Sequence, residues 1–196
     1  WIGRRIDPAK VIVVPGNHDY WEHHLGGDNE LCDLVEAAGM TFAQKRAIIL
    51  GNLRFLCCTL WTDFRLLGPQ AEGMADARWM DDYARIARDA GGDLIAPADT
   101  AAVHRDHLAW LTRAIAEPHD GKTVIVTHHL PSATVAGSVG PLSPVFASDL
   151  DDWILRHRPD LWLCGHSHRR LHGRVGPTAI RDVSLGYPWE VRDGRE

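Results

Sequence analysis

Apolar and polar positions alternate along this chain in blocks that change period, and the blocks predict an alternation of strands and helices. "WIGRRI" at the start reads as the end of a helix. "KVIVV" (10–14) is a short β-branched run stopped by Pro15-Gly16, the mark of a buried strand. Residues 29–38 carry helical spacing closed by Gly39, and "RAIILGNLRFLCCTLW" predicts two strands joined at Gly51-Asn52. From 61 to 98 the pattern turns polar and glycine-dotted, with one helix expected near 74–89. A longer helix is predicted over 100–116: Asp99 or Thr100 would cap it, Val103, Leu108, Leu111 and Ile115 form its apolar face, and Pro118 stops it. "KTVIVT" (122–127) is a second buried strand, 130–147 a Gly/Ser/Pro loop, and "SDLDDWILRH" a short helix capped by Ser148 or Asp149. "DLWLC" ending at Cys164 is a third buried strand, and a β-rich segment closes the chain. The expected fold class is therefore α/β, in a single domain over 1–196 with residues 61–98 as a lid-like insert.

The polar residues that interrupt these strands carry the chemistry. "VIVV" runs into "PGNHD" (15–19), "VIVT" into "HHLPS" (128–132), and "LWLC" into "GHSH" (165–168). Ligand sites of open α/β sheets form beyond the carboxyl ends of strands, so three such loops can meet at one point. Asn17 offers an oxygen, and His128, His166 and His168 offer imidazoles. That donor set suits Zn, Mn, Fe or Ni. In extended chain His166 and His168 face the same way, and could grip one metal or reach two neighbouring ones. His129, next to a candidate ligand, is a substrate-facing candidate. His23, His24, His107, His119, His157 and His172 read as solvated or core side chains.

Composition narrows the function. The 196 residues are 45% hydrophobic and 24% charged with a net charge of −5, ordinary for a globular protein and without a basic stripe for nucleic acid. The apolar runs are too short to span a bilayer. The four cysteines (32, 57, 58, 164) show no C-x-x-C spacing and read as reduced thiols, which points to a cytoplasmic protein.

"GNHD", "THH-x-P" and "GHSH", in that order, resemble the later motifs of the calcineurin-like metallophosphoesterases. "TLWTDF" (59–64), "PLSPVFASDLDDWI" (141–154) and "GYP" (186–188) look like a bacterial branch of phosphohydrolases. The resemblance implies a metallophosphoesterase-type β-sheet sandwich flanked by helices, and hydrolysis of a small phosphomonoester or phosphodiester. It implies that Asn17, His128 and His166 bind one divalent metal and His168 the other. It makes His18 the catalytic proton donor, and Asp19 a loop support, carried with His129 as a further substrate-facing candidate. In the intact parent two divalent ions, Mn, Fe, Zn or Ni, would clamp the phosphate and activate water.

The family's earlier motifs, Asp-x-His and Gly-Asp-x-x-Asp, supply the remaining ligands and a bridging carboxylate. No Asp-x-His occurs here, and Gly-Asp at 27–28 and 92–93 is followed three residues later by Leu31 and Ala96. The expectation is an N-terminally incomplete domain that holds one metal or none firmly and is catalytically impaired. The rival readings are a metal- or phosphate-binding remnant without turnover, and a nuclease.

Overall fold

The computed structural model describes residues 5–191; the expected helix end at 1–4 lies outside the described residues. β1 (Ile12–Val13) pairs in parallel with β2 (Thr41–Phe42), across α1 (Asp28–Ala37). Gly39 ends that helix in the left-handed region, at φ 77°. β3 (Arg46–Leu50) and β4 (Leu53–Cys58) form the expected hairpin at Gly51-Asn52, with Leu50 opposite Leu53. With β5 (Lys122–Thr127), β6 (Leu161–Cys164), β7 (His172–Val175) and β8 (Thr178–Asp182) they build a six-stranded sheet in the order β3-β4-β5-β6-β8-β7. Its four central strands run parallel, so their carboxyl ends share one edge.

One face of this sheet is a core. Leu56 and Cys58, Ile125, Trp162 and Cys164, and Ile180 alternate onto it and pack with Leu111 of α4 (Pro97–Ala116) and Ile154 of α6 (Asp151–His157). The other face is partly open. Val126, Leu163, Val14, Val183 and Leu185 line a groove of about 460 Å³ there, and Leu185 is 67% exposed. The fold is the expected α/β class: a mixed sheet flanked by helices, with a second, two-stranded sheet beside it.

Several local expectations are corrected. "KVIVV" is not a buried strand: only Ile12–Val13 joins a ladder, bonding along one side through Thr41 N–H to Val11 O and Ala43 N–H to Val13 O, and Ile12 stays 37% exposed. The helix near 74–89 is two short ones, α2 (Gln70–Ala77) and α3 (Asp82–Arg85). Paired Asp81 and Asp82 favour a helix start over a helix middle, because carboxylates complement exposed N–H groups. α4 begins at Pro97, and neither Asp99 nor Thr100 is its cap: the Asp99 carboxylate reaches back to accept from Ala96 N–H at 2.8 Å. The loop 130–147 contains a 3-10 turn at Ala133–Val135 and a short helix, α5 (Ser143–Phe146). α6 takes Leu150 at its cap position; of the two expected caps, Asp149 accepts from Asp151 N–H at 3.3 Å, whereas the Ser148 hydroxyl accepts from Asp63 N–H at 3.1 Å. α7 (Pro188–Val191) closes the described chain. No helix among the described residues is long and apolar enough to cross a membrane.

Candidate functional site

Three strand ends meet at Thr59, just past β4. Its carbonyl accepts from His128 N–H (3.2 Å) and His129 N–H (3.1 Å), and its hydroxyl donates to Pro15 O (2.9 Å). Gly165 N–H closes the set on His128 O at 2.9 Å. The loop after β1 makes one tight turn, Asn17–Tyr20, braced by Gly16 N–H donating to the Asp19 carboxylate at 2.7 Å. Gly16 has an ordinary extended backbone; glycine is required because a Cβ there would sit 2.6 Å from the His128 ring.

These constraints bring Asn17, His128 and His166 together. His128 Nε2 lies 2.9 Å from Asn17 Oδ1 and 3.0 Å from His166 Nδ1. Burial first, and then the neighbouring His18 and His168, push the His128 imidazole down to about 4. Burial and the adjacent His129 and His128 hold His166 well below its ordinary range. Both rings are therefore neutral at pH 7, the form that ligates metals. One proton on His128 Nε2 cannot serve both Asn17 Oδ1 and a lone pair on His166. His166 Nε2 is buried without any partner. A cation satisfies such a cluster of lone pairs, so these residues fit a divalent metal.

His168 does not join them. His166 and His168 both take positive φ, 71° and 58°, so the alternation expected of extended chain does not hold here. His166 turns inward against Phe146 and His129, at 5.0 and 4.3 Å between ring centres. His168 Nδ1 instead pairs with Glu190 at 3.0 Å, and its ring stands edge-on to Tyr187. Ser167, between them, donates to the buried Asp182, which also accepts from Ser184 N–H and hydroxyl at 2.9 and 2.6 Å.

His18 is exposed, its ring lying on Trp21 with centres 3.7 Å apart and its Nε2 3.4 Å from the Tyr187 hydroxyl. Burial is the main cause of its lowered pKa, opposed by the Asp82 charge. The two substrate-facing candidates lie away from the cleft surface, Asp19 in the loop-support role also expected of it. His129 is 2% exposed, stacked on Trp61 with Nδ1 toward Thr59 O, and has no surface to offer a substrate. Asp19 folds back on Gly16 and does not line the cleft.

The cleft itself has a volume of about 1100 Å³. Asn17, His18, His166 and His168 form its floor, Trp79, Met80 and Asp82 of the insert one wall, and Arg169, Arg170 and Tyr187 the opposite rim. Asp82 is the residue that sequence reading missed. It is 3% exposed, and its Oδ1 accepts from Asn17 Nδ2 at 2.8 Å and from Trp21 Nε1 at 2.6 Å. A carboxylate only accepts, so it takes the Asn17 amide by its NH₂ and leaves Oδ1 facing His128. Asp182, the last residue of β8, was also missed, because the mixed run Thr178–Asp182 carries no apolar-strand signal.

A sequence model of the calcineurin-like phosphoesterases matches residues 2–170. No curated protein matches the chain. Among solved structures, a phosphopantetheinyl hydrolase from Mycobacterium tuberculosis superposes over 100% of this chain and 75% of its own, at TM-score 0.79 and 20% identity. A second structure covers 89% of this chain and 57% of its own, at TM-score 0.54 and 13% identity. Protein TT1561 of Thermus thermophilus gives TM-score 0.45 and 13% identity over 88% of this chain and 62% of its own.

Proposed function

This chain belongs to the calcineurin-like phosphoesterase family, and from that premise we propose that it acts on a small phosphoester through a divalent metal held by Asn17, His128 and His166. The observation that carries this reading is the meeting of Asn17 Oδ1, His128 Nε2 and His166 Nδ1, with steps of 2.9 and 3.0 Å between them. A bound ion there would neutralise phosphoryl oxygens and supply hydroxide at neutral pH. The chain's own residues do the rest. Asp82 orients the Asn17 amide. His18, exposed on the cleft floor, gives the proton to the leaving oxygen. Arg169 and Arg170 stand on the rim beside His168 and offer charge-assisted bonds to a phosphate. The insert forms one wall of the pocket, as a lid would.

Two ions remain the full catalytic arrangement in this reading, with His168 as ligand to the second. With His168 held by Glu190, that second ion is the weaker of the two. The same pairing favours the rival reading, a metal-binding domain without turnover. A nuclease fits less well, given the net charge of −5. The phosphopantetheinyl hydrolase makes a phosphopantetheinyl ester the first natural compound to try.

The test pairs metal analysis with hydrolysis of that ester and of an aryl phosphodiester in Mn²⁺. His166→Ala should lose bound metal; equal metal content in variant and wild type would sink the assignment. His18→Gln should keep its metal and lose roughly 10²–10⁴-fold in turnover, most on poor leaving groups. Metal binding with no hydrolysis of either ester favours the non-enzymatic reading for these 196 residues.

A further inference from the structure

Just past the Asn17–Tyr20 turn, a loop carries two adjacent histidines over the first turn of α1. The rings of His23 and His24 lie 4.6 Å apart at 52°, and Glu30 rises from the helix beside them. One nitrogen of each ring and a Glu30 carboxylate oxygen all fall within 4.8 Å of one another. The hydrogen bonds that should satisfy them are missing. His23 Nε2 and His24 Nδ1 are buried without partners, and His24 Nε2 stands 3.7 Å from Glu30 Oε1, beyond hydrogen-bond range. Buried polar atoms are almost always paired, so orphans on two adjacent residues mark a polar cluster short of partners.

We propose that His23, His24 and Glu30 form a second divalent-cation site, separate from Asn17, His128 and His166, which takes a borderline ion such as Zn²⁺. Two imidazoles and a carboxylate are the donors such ions prefer. The place is shaped for the rings: a Cβ on Gly27 would lie 2.4 Å from His23 Nε2, so only glycine leaves room. Asp28 in the same helical turn adds negative charge, which offsets the positive helix end. Glu30 is mostly exposed, leaving the ion's outer positions to water.

The position suggests what the ion does. The loop is zipped to the insert through Glu22 N–H to Arg85 O (2.9 Å), Ala87 N–H to His23 O (2.9 Å) and Leu25 N–H to Ala87 O (2.8 Å). An ion between His23, His24 and Glu30 therefore ties α1 to the segment that follows α3, the helix that begins with Asp82. It clamps the insert against the loop that carries Asn17 and His18.

The probe is Zn²⁺ added to the metal-free full chain, read by elemental analysis after dialysis and by hydrogen exchange of amides 22–30. Wild type and His166→Ala should both retain this ion and show slowed exchange at 22–30. Glu30→Gln, an exposed and fold-neutral change, and the double variant His23→Asn/His24→Asn should hold about one zinc fewer than wild type and show no slowing. If both variants bind as much zinc as wild type with the same protection, or if wild type shows no protection at 22–30, the site does not exist.

Discussion

Asn17 has two faces, and Asp82 decides which one the cleft sees. The carboxylate takes both Asn17 Nδ2 and Trp21 Nε1, so the amide oxygen is the atom presented to His128. Partners of this kind typically govern ligand affinity by about 10–100-fold without touching the ion. Asp82→Asn keeps the shape but offers an NH₂ as readily as an oxygen, so the Asn17 amide loses its fixed orientation. The expected outcome is metal affinity weaker by about 10–100-fold with the thermal midpoint of the metal-free protein little changed. Isothermal titration with Mn²⁺ or Zn²⁺ measures the first and a thermal melt the second. Unchanged affinity would remove Asp82 from the positioning role.

At the scale of elements, α4 does more than cover the sheet. Its inner face carries His104 and His107 rather than an unbroken apolar stripe, and both reach the strand end after β4. His107 Nδ1 accepts from Leu60 N–H at 3.1 Å, and His104 Nδ1 lies 3.3 Å from Trp61 O. Leu60 and Trp61 hold left-handed backbone, φ 73° and 55°, next to Thr59, on which the three site loops meet. The helix thus brackets a strained turn that positions the metal ligands. His107→Leu buries an unpaired Leu60 N–H and should lower stability by about 1–3 kcal/mol in urea unfolding. The exposed His172→Leu should stay within about 0.5 kcal/mol. Equal effects would mean that the bracket contributes nothing.

For the molecule as a whole, buried neutral histidines link stability to pH. Burial lowers His104 and His129, and drives His107 down to about 3, against an ordinary value of 6.5. Below 6.5 the unfolded chain takes up protons that these folded rings refuse, so acidification favours unfolding. Their contribution is intact above 6.5 and is lost progressively as pH falls from 6.5, for His107 down to about 3. Each such histidine adds a slope of up to about 1.4 kcal/mol per pH unit in that window. Denaturation of the metal-free protein at pH 7.5, 6 and 5 should show a steep fall, shallower in His107→Leu. A flat profile between 7.5 and 5 would contradict the burial of these rings.

The sequence alone determined the strand-end placement of the chemistry. Short apolar runs that give way to polar residues at Pro15-Gly16, after Thr127 and at Gly165 located the three loops, because an apolar strand and its end are local signals. The same locality revealed the hairpin at Gly51-Asn52, the helix before Gly39 and the family likeness. Tertiary structure decided what has no local cause. "VIVV" is apolar enough for a core strand, yet what a strand buries depends on its neighbours, and Ile12–Val13 has a ladder on one side only. His-x-His spacing implied an extended stretch, but Ser167 is tied to Asp182 and both histidines take positive φ, so the fold gives His166 and His168 different partners, Phe146 and Glu190. His129 looked like a cleft residue and is packed behind it on Trp61. Asp82 lies 65 residues from Asn17 in an insert with no motif of its own. Its role exists only because folding carries a short acidic helix start against the amide, a contact between distant residues that no periodicity encodes.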